Sequence, residues 1–280
     1  MKTQVETEPT ETPKKRTSAD TLMVRSVEKA LNVLEAFGSS PTPMSLRDLG
    51  TMLGLDKSTT QRFTYTLERL GYLSKDPETR RMSLTVKALN FSYGYLRTHD
   101  LLTRAMPYLI HLSRETEETI NITVRDDTEI VFVSRFMSRH LFNTDVTIGT
   151  RMPVYCTAPG IAMLAQMTRA DALDVLSRCD CRPITPHTTW RLPDLEKKLD
   201  ESMARGYATA FEEYYHDDLS ISAPIFDTRR NPAAALTLSV SRSRYTPQEA
   251  EERFAPQVIA AARAISQSGH GMPSPGTRRR

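Results

Sequence analysis

The chain predicts an α+β protein in two parts. A small helical domain closed by a β-hairpin comes first, and a larger domain mixing strands with helices follows. Three observations carry this. Between residues 24 and 84, three apolar patterns at helical spacing precede two short strand patterns around a turn. After a helical stretch at 102–116 the period shifts toward 2, and strands and helices then mix without regular βαβ alternation. The 280 residues, 39% hydrophobic and 25% charged, suffice for two domains that each bury a core.

Each element has its own local signal. Residues 1–23 are rich in Thr, Glu, Pro and Lys without apolar period and predict a disordered tail, as do residues 269–280 with their terminal Arg278, Arg279 and Arg280. Val27, Leu31, Leu34 and Phe37 make the inner stripe of a first helix that stops at Gly38. Ser45 with Asp48 resembles a capping box, and Leu46, Leu49 and Leu53 follow at helical spacing. Gly54-Leu55-Asp56 is a short turn, and Asp56 caps a third helix whose inner face is Phe63, Leu67 and Leu70. Strands at 72–75 and 82–84 flank the turn Asp76-Pro77-Glu78-Thr79, completing a domain at 24–84. A linker helix at 85–100 carries Val86, Leu89, Tyr93 and Leu96 at helical spacing.

The larger domain occupies 101–268. Ile120, Ile122 and Val124 alternate as in a half-buried strand, and Ile130-Val131-Phe132-Val133 is a more continuous apolar one. Helices are predicted at 160–166, at 169–176 behind a Thr168–Asp171 box, and at 194–205 before Gly206. Strands return at 207–211, 219–223 and 233–241, and a final helical region from Thr246 contains Pro256, which predicts a kink.

Composition narrows the class. No stretch approaches the roughly 18 apolar residues of a spanning helix, and the polar N-terminus lacks a secretory core, so the expected setting is cytoplasmic with no membrane partner. Three cysteines argue against a disulfide framework. The net charge of +3 is unevenly spread. Residues 1–98 hold 15 Lys and Arg against 11 Asp and Glu, whereas 99–270 hold 19 against 23. A basic first third suggests a polyanionic partner.

The segment from Ser45 to Leu70 sharpens that suggestion, because two helices across a short Gly-containing turn make a helix-turn-helix pattern. Ser58, Gln61, Arg62, Tyr65 and Arg69 share the outer face of the second helix. Gln and Arg pair with purine edges in a major groove, while Lys57, Ser58 and Thr59 at the helix start suit phosphate oxygens. A merely solvated helix mixes Glu with Lys, yet Glu68 is the sole acid between Lys57 and Arg69. Lys75, Arg80 and Arg81 would place a basic wing on the backbone of double-stranded DNA.

Three segments then resemble the IclR family of bacterial transcription regulators. They are Arg25-Ser26-Val27-Glu28-Lys29-Ala30-Leu31-Asn32-Val33-Leu34, Gly54-Leu55-Asp56-Lys57-Ser58-Thr59-Thr60-Gln61-Arg62 and Leu70-Gly71-Tyr72-Leu73. The similarity continues through Gly149-Thr150-Arg151-Met152-Pro153, Cys156-Thr157-Ala158-Pro159-Gly160-Ile161 and Ser222-Ala223-Pro224-Ile225-Phe226-Asp227, in one order from about 24 to 266. Arg25 joins the candidate DNA contacts on this basis. The resemblance implies a winged helix-turn-helix domain, a linker helix and a GAF-like effector domain. It also implies a homodimer or dimer of dimers on operator DNA, a small organic-acid effector, control of a catabolic operon and no cofactor. Its pocket residues would be Ala158, Pro159, Gly160, Ala210, Ser220, Thr237 and Ser239.

Two departures bear on that effector. Pro159 stands where a small residue is usual and removes an N–H donor, and the acidic pair Asp217-Asp218 stands where the family often has Gly followed by an apolar residue. Arg135, Arg139 and Arg151 are the candidate compensating cations. The competing reading is a metal- or small-molecule-dependent enzyme on the same domain, with Cys156 as nucleophile. Glu212, Glu213, His216, Asp217 and Asp218, or Cys179 with Cys181, would be its metal ligands, although neither spacing matches a zinc motif. No phosphate loop or nucleophile elbow accompanies them, so the regulator reading is preferred.

Overall fold

The computed structural model describes residues 22–139 and 146–269, and the predicted tails at 1–23 and 269–280 lie outside the described residues except for Leu22, Met23 and Gly269. The chain divides into two compact units after Gly94.

In the first unit, α1 (Arg25–Ala36), α2 (Leu46–Leu53) and α3 (Lys57–Arg69) are followed by β1 (Leu73–Lys75) and β2 (Met82–Leu84), paired antiparallel. The capping box at Ser45 and Asp48 forms in both directions, satisfying two amides at the start of α2. Gly54 ends α2 with φ 61°, a left-handed conformation that costs glycine nothing in sterics. Asp56 then caps α3, accepting from the Thr59 amide at 2.9 Å and from Thr59 Oγ1 at 2.5 Å. Val33, Leu49, Leu67, Leu73 and Met82 fill the core. Met44 adds a backbone bridge to Met82 that no sequence period announced.

Three inner-stripe expectations need correction. Val27 and Leu31 are exposed, because Val33 and Ala36 supply the buried side of α1. Leu70 is exposed as well, since α3 buries Thr60 and Thr64 in its place. Those hydroxyls donate to Asp56 O and Thr60 O, which removes the cost of burying them. In the linker, a 3₁₀ turn at Val86–Ala88 precedes α4 (Leu89–Thr98), and Val86, Leu89 and Tyr93 are all exposed. Its early part is tied to the first unit. Thr85 Oγ1 donates to Gly71 O, Lys87 Nζ donates to Leu70 O, and Phe91 stacks on Tyr72.

The second unit is built on one six-stranded antiparallel sheet ordered β5-β4-β3-β8-β7-β6. Its strands are β3 (Thr119–Asp126), β4 (Glu129–Phe136), β5 (Arg151–Pro153), β6 (Ala208–Phe211), β7 (Asp218–Phe226) and β8 (Pro232–Ser241). Leu219, Ile221, Leu236 and Leu238 meet α5 (Asp100–Thr116) and α9 (Pro247–Ser268) in one core. A second core gathers α6 (Ala158–Leu164), α7 (Arg169–Arg178) and α8 (Leu192–Arg205) around Ile130, Met152 and Ala208. α9 is a single helix that runs through Pro256.

The expected half-buried strand at Ile120, Ile122 and Val124 is instead covered on both faces. Thr119, Asn121 and Thr123 are as buried as the isoleucines between them. Thr119 and Asn121 face a cavity and accept hydrogen bonds from the Ser138 amide and from Arg135 Nη1, whereas the Thr123 hydroxyl is buried without a partner among the described residues. Thr168 caps α7, but Asp171 takes the Thr168 hydroxyl rather than closing the box on the backbone.

Candidate DNA-binding face and effector cavity

The third helix displays what its sequence places outside. Lys57, Ser58, Gln61, Arg62, Tyr65 and Arg69 are all exposed, and Tyr65 retains 61% of its surface despite its size. Asp56 holds the start of this helix in place, and hydrogen bonds from Thr59 keep its carboxyl below the usual range. Thr59 is therefore occupied as a capping partner, with its hydroxyl proton turned to Asp56 instead of outward. In the hairpin, Asp76 Oδ1 accepts from the Glu78 and Thr79 amides and fixes the tip. Arg80 follows in a left-handed conformation, exposed. Arg81 turns inward to Pro43 O at 2.7 Å and Asp48 at 3.4 Å, bracing the hairpin against α2. Arg25 pairs with Glu28 on the exposed side of α1.

The second unit encloses a cavity of about 50 Å³ between the polar face of the sheet and α6. Register explains its floor. Ala210, Ser220, Ser239 and Thr119 lie opposite one another across β6, β7, β8 and β3. Next to that row run Ser222, Thr237, Asn121 and Arg135, across β7, β8, β3 and β4. Ser220 Oγ lies 2.8 Å from Ser239 Oγ, and Ser222 Oγ lies 2.9 Å from Thr237 Oγ1. Ile130, Phe132, Met152 and Tyr214 supply an apolar wall.

Of the seven pocket residues expected from sequence, Ala158, Pro159, Ala210, Ser220, Thr237 and Ser239 line this cavity together. Gly160 does not. A Cβ there would lie 2.1 Å from Val154 O, so glycine is required for α6 to rest on the chain before it. Sequence reasoning missed Thr119, Asn121 and Thr157 as lining residues. The residues beside Ile120 carried a period-2 signal, but only strand pairing reveals what the polar face meets.

The three candidate cations separate clearly. Arg135 lines the cavity and donates to Asn121 Oδ1 at 3.0 Å. Arg151 pairs with Asp126 and Glu129 at the surface, and Arg139 pairs with Glu117. The two aspartates also separate. Asp217 accepts from Ser241 Oγ and the Ser243 amide in a turn, whereas Asp218 lines the cavity. Burial pushes the Asp218 carboxyl up to about 7, against smaller opposing effects of Ser220 and Arg135.

Cys156 also touches the cavity, but burial pushes its thiol up to about 12, and no histidine lies among the described lining residues. A neutral thiol without a base is a poor nucleophile. Glu213 pairs with Lys198 and accepts from the Thr189 amide, while Cys179 and Cys181 are free thiols. Among the described residues no group of three or more His, Cys, Asp or Glu converges as metal ligands would. Nor is any helix among them long and apolar enough to cross a membrane.

A helix-turn-helix unit joined to a separate domain around a small cavity defines a DNA-binding regulator with an effector domain. The chain belongs to the IclR family of bacterial transcriptional regulators. Residues 26–77 match the IclR helix-turn-helix domain, and residues 93–267 match the C-terminal domain of bacterial transcriptional regulator IclR. The Pca regulon regulatory protein of Pseudomonas putida is 29% identical over 257 residues, covering 90% of this chain and 88% of that one. The transcriptional repressor IclR of Escherichia coli K12 is 29% identical over 262 residues, covering 93% and 95%. An IclR homolog from Microbacterium hydrocarbonoxydans, solved with 4-hydroxybenzoate, shares the fold with a TM-score of 0.74 at 21% identity, covering 88% of this chain and 100% of that one. The chain is accordingly a transcriptional regulator rather than an enzyme.

Proposed function

We propose that this regulator controls a catabolic operon in response to a small organic acid bound in the second unit. One observation carries the reading: among the described residues, one guanidinium, that of Arg135, reaches a small cavity otherwise lined by hydroxyl, amide, carboxyl, thiol and apolar groups. A half-buried cation at a cavity favours an anionic ligand. The names of the relatives support the same direction, since one regulates the Pca regulon and another was solved with an aromatic hydroxy acid.

On the DNA side, Gln61, Arg62 and Tyr65 read base edges, and Lys57, Ser58, Arg69, Lys75 and Arg80 hold phosphates. Two copies bind a two-fold operator. The exposed apolar side chains of Val24, Val27 and Leu31 on one helix face support self-association, because such a stripe is costly in water. The boundary between the units falls within α4, so that helix is the covalent route by which ligand occupancy alters operator affinity.

The test is operator binding by the full chain, alone and with candidate acids. Arg62→Ala should lower operator affinity by about 1–3 kcal/mol and relax preference at one position of each half-site. Unchanged affinity and preference would reject this recognition face. An operator affinity indifferent to every acid tried would reject the effector reading.

A further inference from the structure

The cavity beside α6 measures about 50 Å³, whereas a cavity that holds a benzene ring measures about 150 Å³. A water needs about 10–15 Å³ of such space, so the cavity as it stands takes a ligand of roughly four non-hydrogen atoms. Acetate fits that limit and an aromatic acid does not. Next to the cavity lies a surface groove of about 230 Å³. The two spaces run side by side. Ile130, Met152 and Cys156 line the cavity, while their chain neighbours Glu129, Pro153 and Tyr155 line the groove. Among the described residues Tyr214 alone lines both. At Tyr214 the two spaces meet across one side chain.

The backbone that carries Tyr214, in the loop between β6 and β7, is held on both sides of it. Thr185 Oγ1 donates to Glu212 O at 2.6 Å, and Thr188 Oγ1 donates to Glu213 O at 2.7 Å. Glu213 in turn pairs with Lys198 on α8 and accepts from the Thr189 amide. On the far side of the tyrosines, the Asp217 amide donates to Glu212 Oε1 at 3.1 Å. The Tyr214 ring is held by less. Its hydroxyl makes no hydrogen bond among the described residues, and Tyr215 meets the ring edge-on with centroids 4.8 Å apart. Tyr155 differs, since its hydroxyl donates to Arg182 O at 2.9 Å and accepts from the Arg182 amide at 3.3 Å. One edge contact shifts a population by a factor of roughly 2–10. The half-buried Tyr214 ring can therefore leave by side-chain rotation while its loop stays in place.

We propose that Tyr214 is the gate of the effector cavity. With its ring in place the cavity admits only the smallest acids, and with the ring rotated away groove and cavity join into one site for an aromatic acid. This rests on the organic-acid reading above and adds the route of entry and the size class of the ligand. The joined space is on the order of 300 Å³, the lower end for sites that enclose a small organic molecule. Ile130, Phe132 and Met152 then supply apolar surface for the ligand's ring.

The test uses the full-length protein and first a probe of entry that needs no acid. Cys156 lines the cavity and is fully buried, so its alkylation by iodoacetamide reports access from outside. Trypsin releases it in the peptide 152–169, apart from Cys179 and Cys181. Tyr214→Ala should speed Cys156 labelling about 10-fold or more, since it removes both the ring and its edge contact. Tyr214→Trp, with a larger ring, should slow it. Phe132→Leu alters the cavity wall alone and should change it by less than about 3-fold. A loosened fold speeds labelling in every variant, so opposite signs at position 214 separate gating from unfolding. Calorimetry with acetate and benzoate at up to millimolar concentration then reads the size class. Tyr214→Trp should weaken benzoate about 10-fold or more and leave acetate unchanged. Labelling no faster in Tyr214→Ala than in Phe132→Leu would overturn the gate and leave the organic-acid reading standing, as would equal weakening of the two acids. Failure of every acid to bind would reject the organic-acid reading and the ligand class with it, while the labelling rates still decide whether Tyr214 controls entry.

Discussion

Asp217 and Asp218 are neighbours in sequence with different surroundings, and the difference has a measurable consequence. Asp217 sits at φ 65° in a turn and accepts two hydrogen bonds, whereas Asp218 begins β7 and faces the cavity. Desolvation raises the Asp218 pKa from 3.8 to about 7, and the nearby Asp217 charge adds to the rise. Ser220 and Arg135 oppose it. In the unfolded chain this carboxyl releases its proton near its ordinary value. Between those two values the folded state holds more protons, so this group lowers stability as pH rises from about 4 to about 7, with little further change above. Asp218→Asn should therefore stabilise the protein by about 1–3 kcal/mol more at pH 8 than at pH 5, read from urea unfolding at both. An equal effect at the two pH values would show that Asp218 does not retain its proton on folding. The sequence made the acidic pair conspicuous but left the inward member undetermined. A strand's alternation assigns faces only once its first residue is known, and the same limit applied to Arg135, Arg139 and Arg151.

At the scale of elements, the signals that survived are those in which a side chain acts on its own backbone. Ser45, Asp56, Gly54, Thr168 and Gly206 mark helix ends in the structure as they do in the sequence. Apolar spacing was less reliable, because Val27, Leu31, Val86, Leu89 and Tyr93 form stripes that this chain leaves in solvent. A period of 3.6 shows that a helix has an apolar side without saying whether the same chain covers it. The motif around α6 is a third case. All seven of its residues are buried, so the segment is a packing unit as well as a cavity wall. Gly160 belongs to the packing role, with Val154 O, Cα and C all within 2.6 Å of where a Cβ would stand. Gly160→Ala should cost about 1–3 kcal/mol through overpacking, measured as an earlier urea midpoint for the effector domain. An unchanged midpoint would mean that α6 can move away from Val154 freely. The helix-turn-helix unit should unfold as in wild type, since its core has no member in common with this one.

For the whole molecule, net charge is a poor guide and charge placement a good one. The +3 of the full chain averages a basic first third with an acidic remainder. The structure refines the division further, since Arg81 is engaged with Pro43 O and Asp48 while Lys57, Arg69, Lys75 and Arg80 stay at the surface of the first unit. Each cation that meets a phosphate releases condensed counterions, and the observed binding constant falls with salt at a logarithmic slope of about −0.9 per contact. One copy using these four side chains predicts a slope of roughly −3.6, and a homodimer on a two-fold operator roughly −7. Titrating operator affinity at several salt concentrations therefore counts copies and contacts together. Adding Leu31→Glu separates them, because a charge on the exposed apolar face of α1 should disfavour pairing without touching a cation. A wild-type slope near −7 that falls toward −3.6 in Leu31→Glu supports a dimer joined through that face. A steep slope unchanged by Leu31→Glu places the dimer contact elsewhere, and a flat wild-type response would refute phosphate binding by this surface altogether.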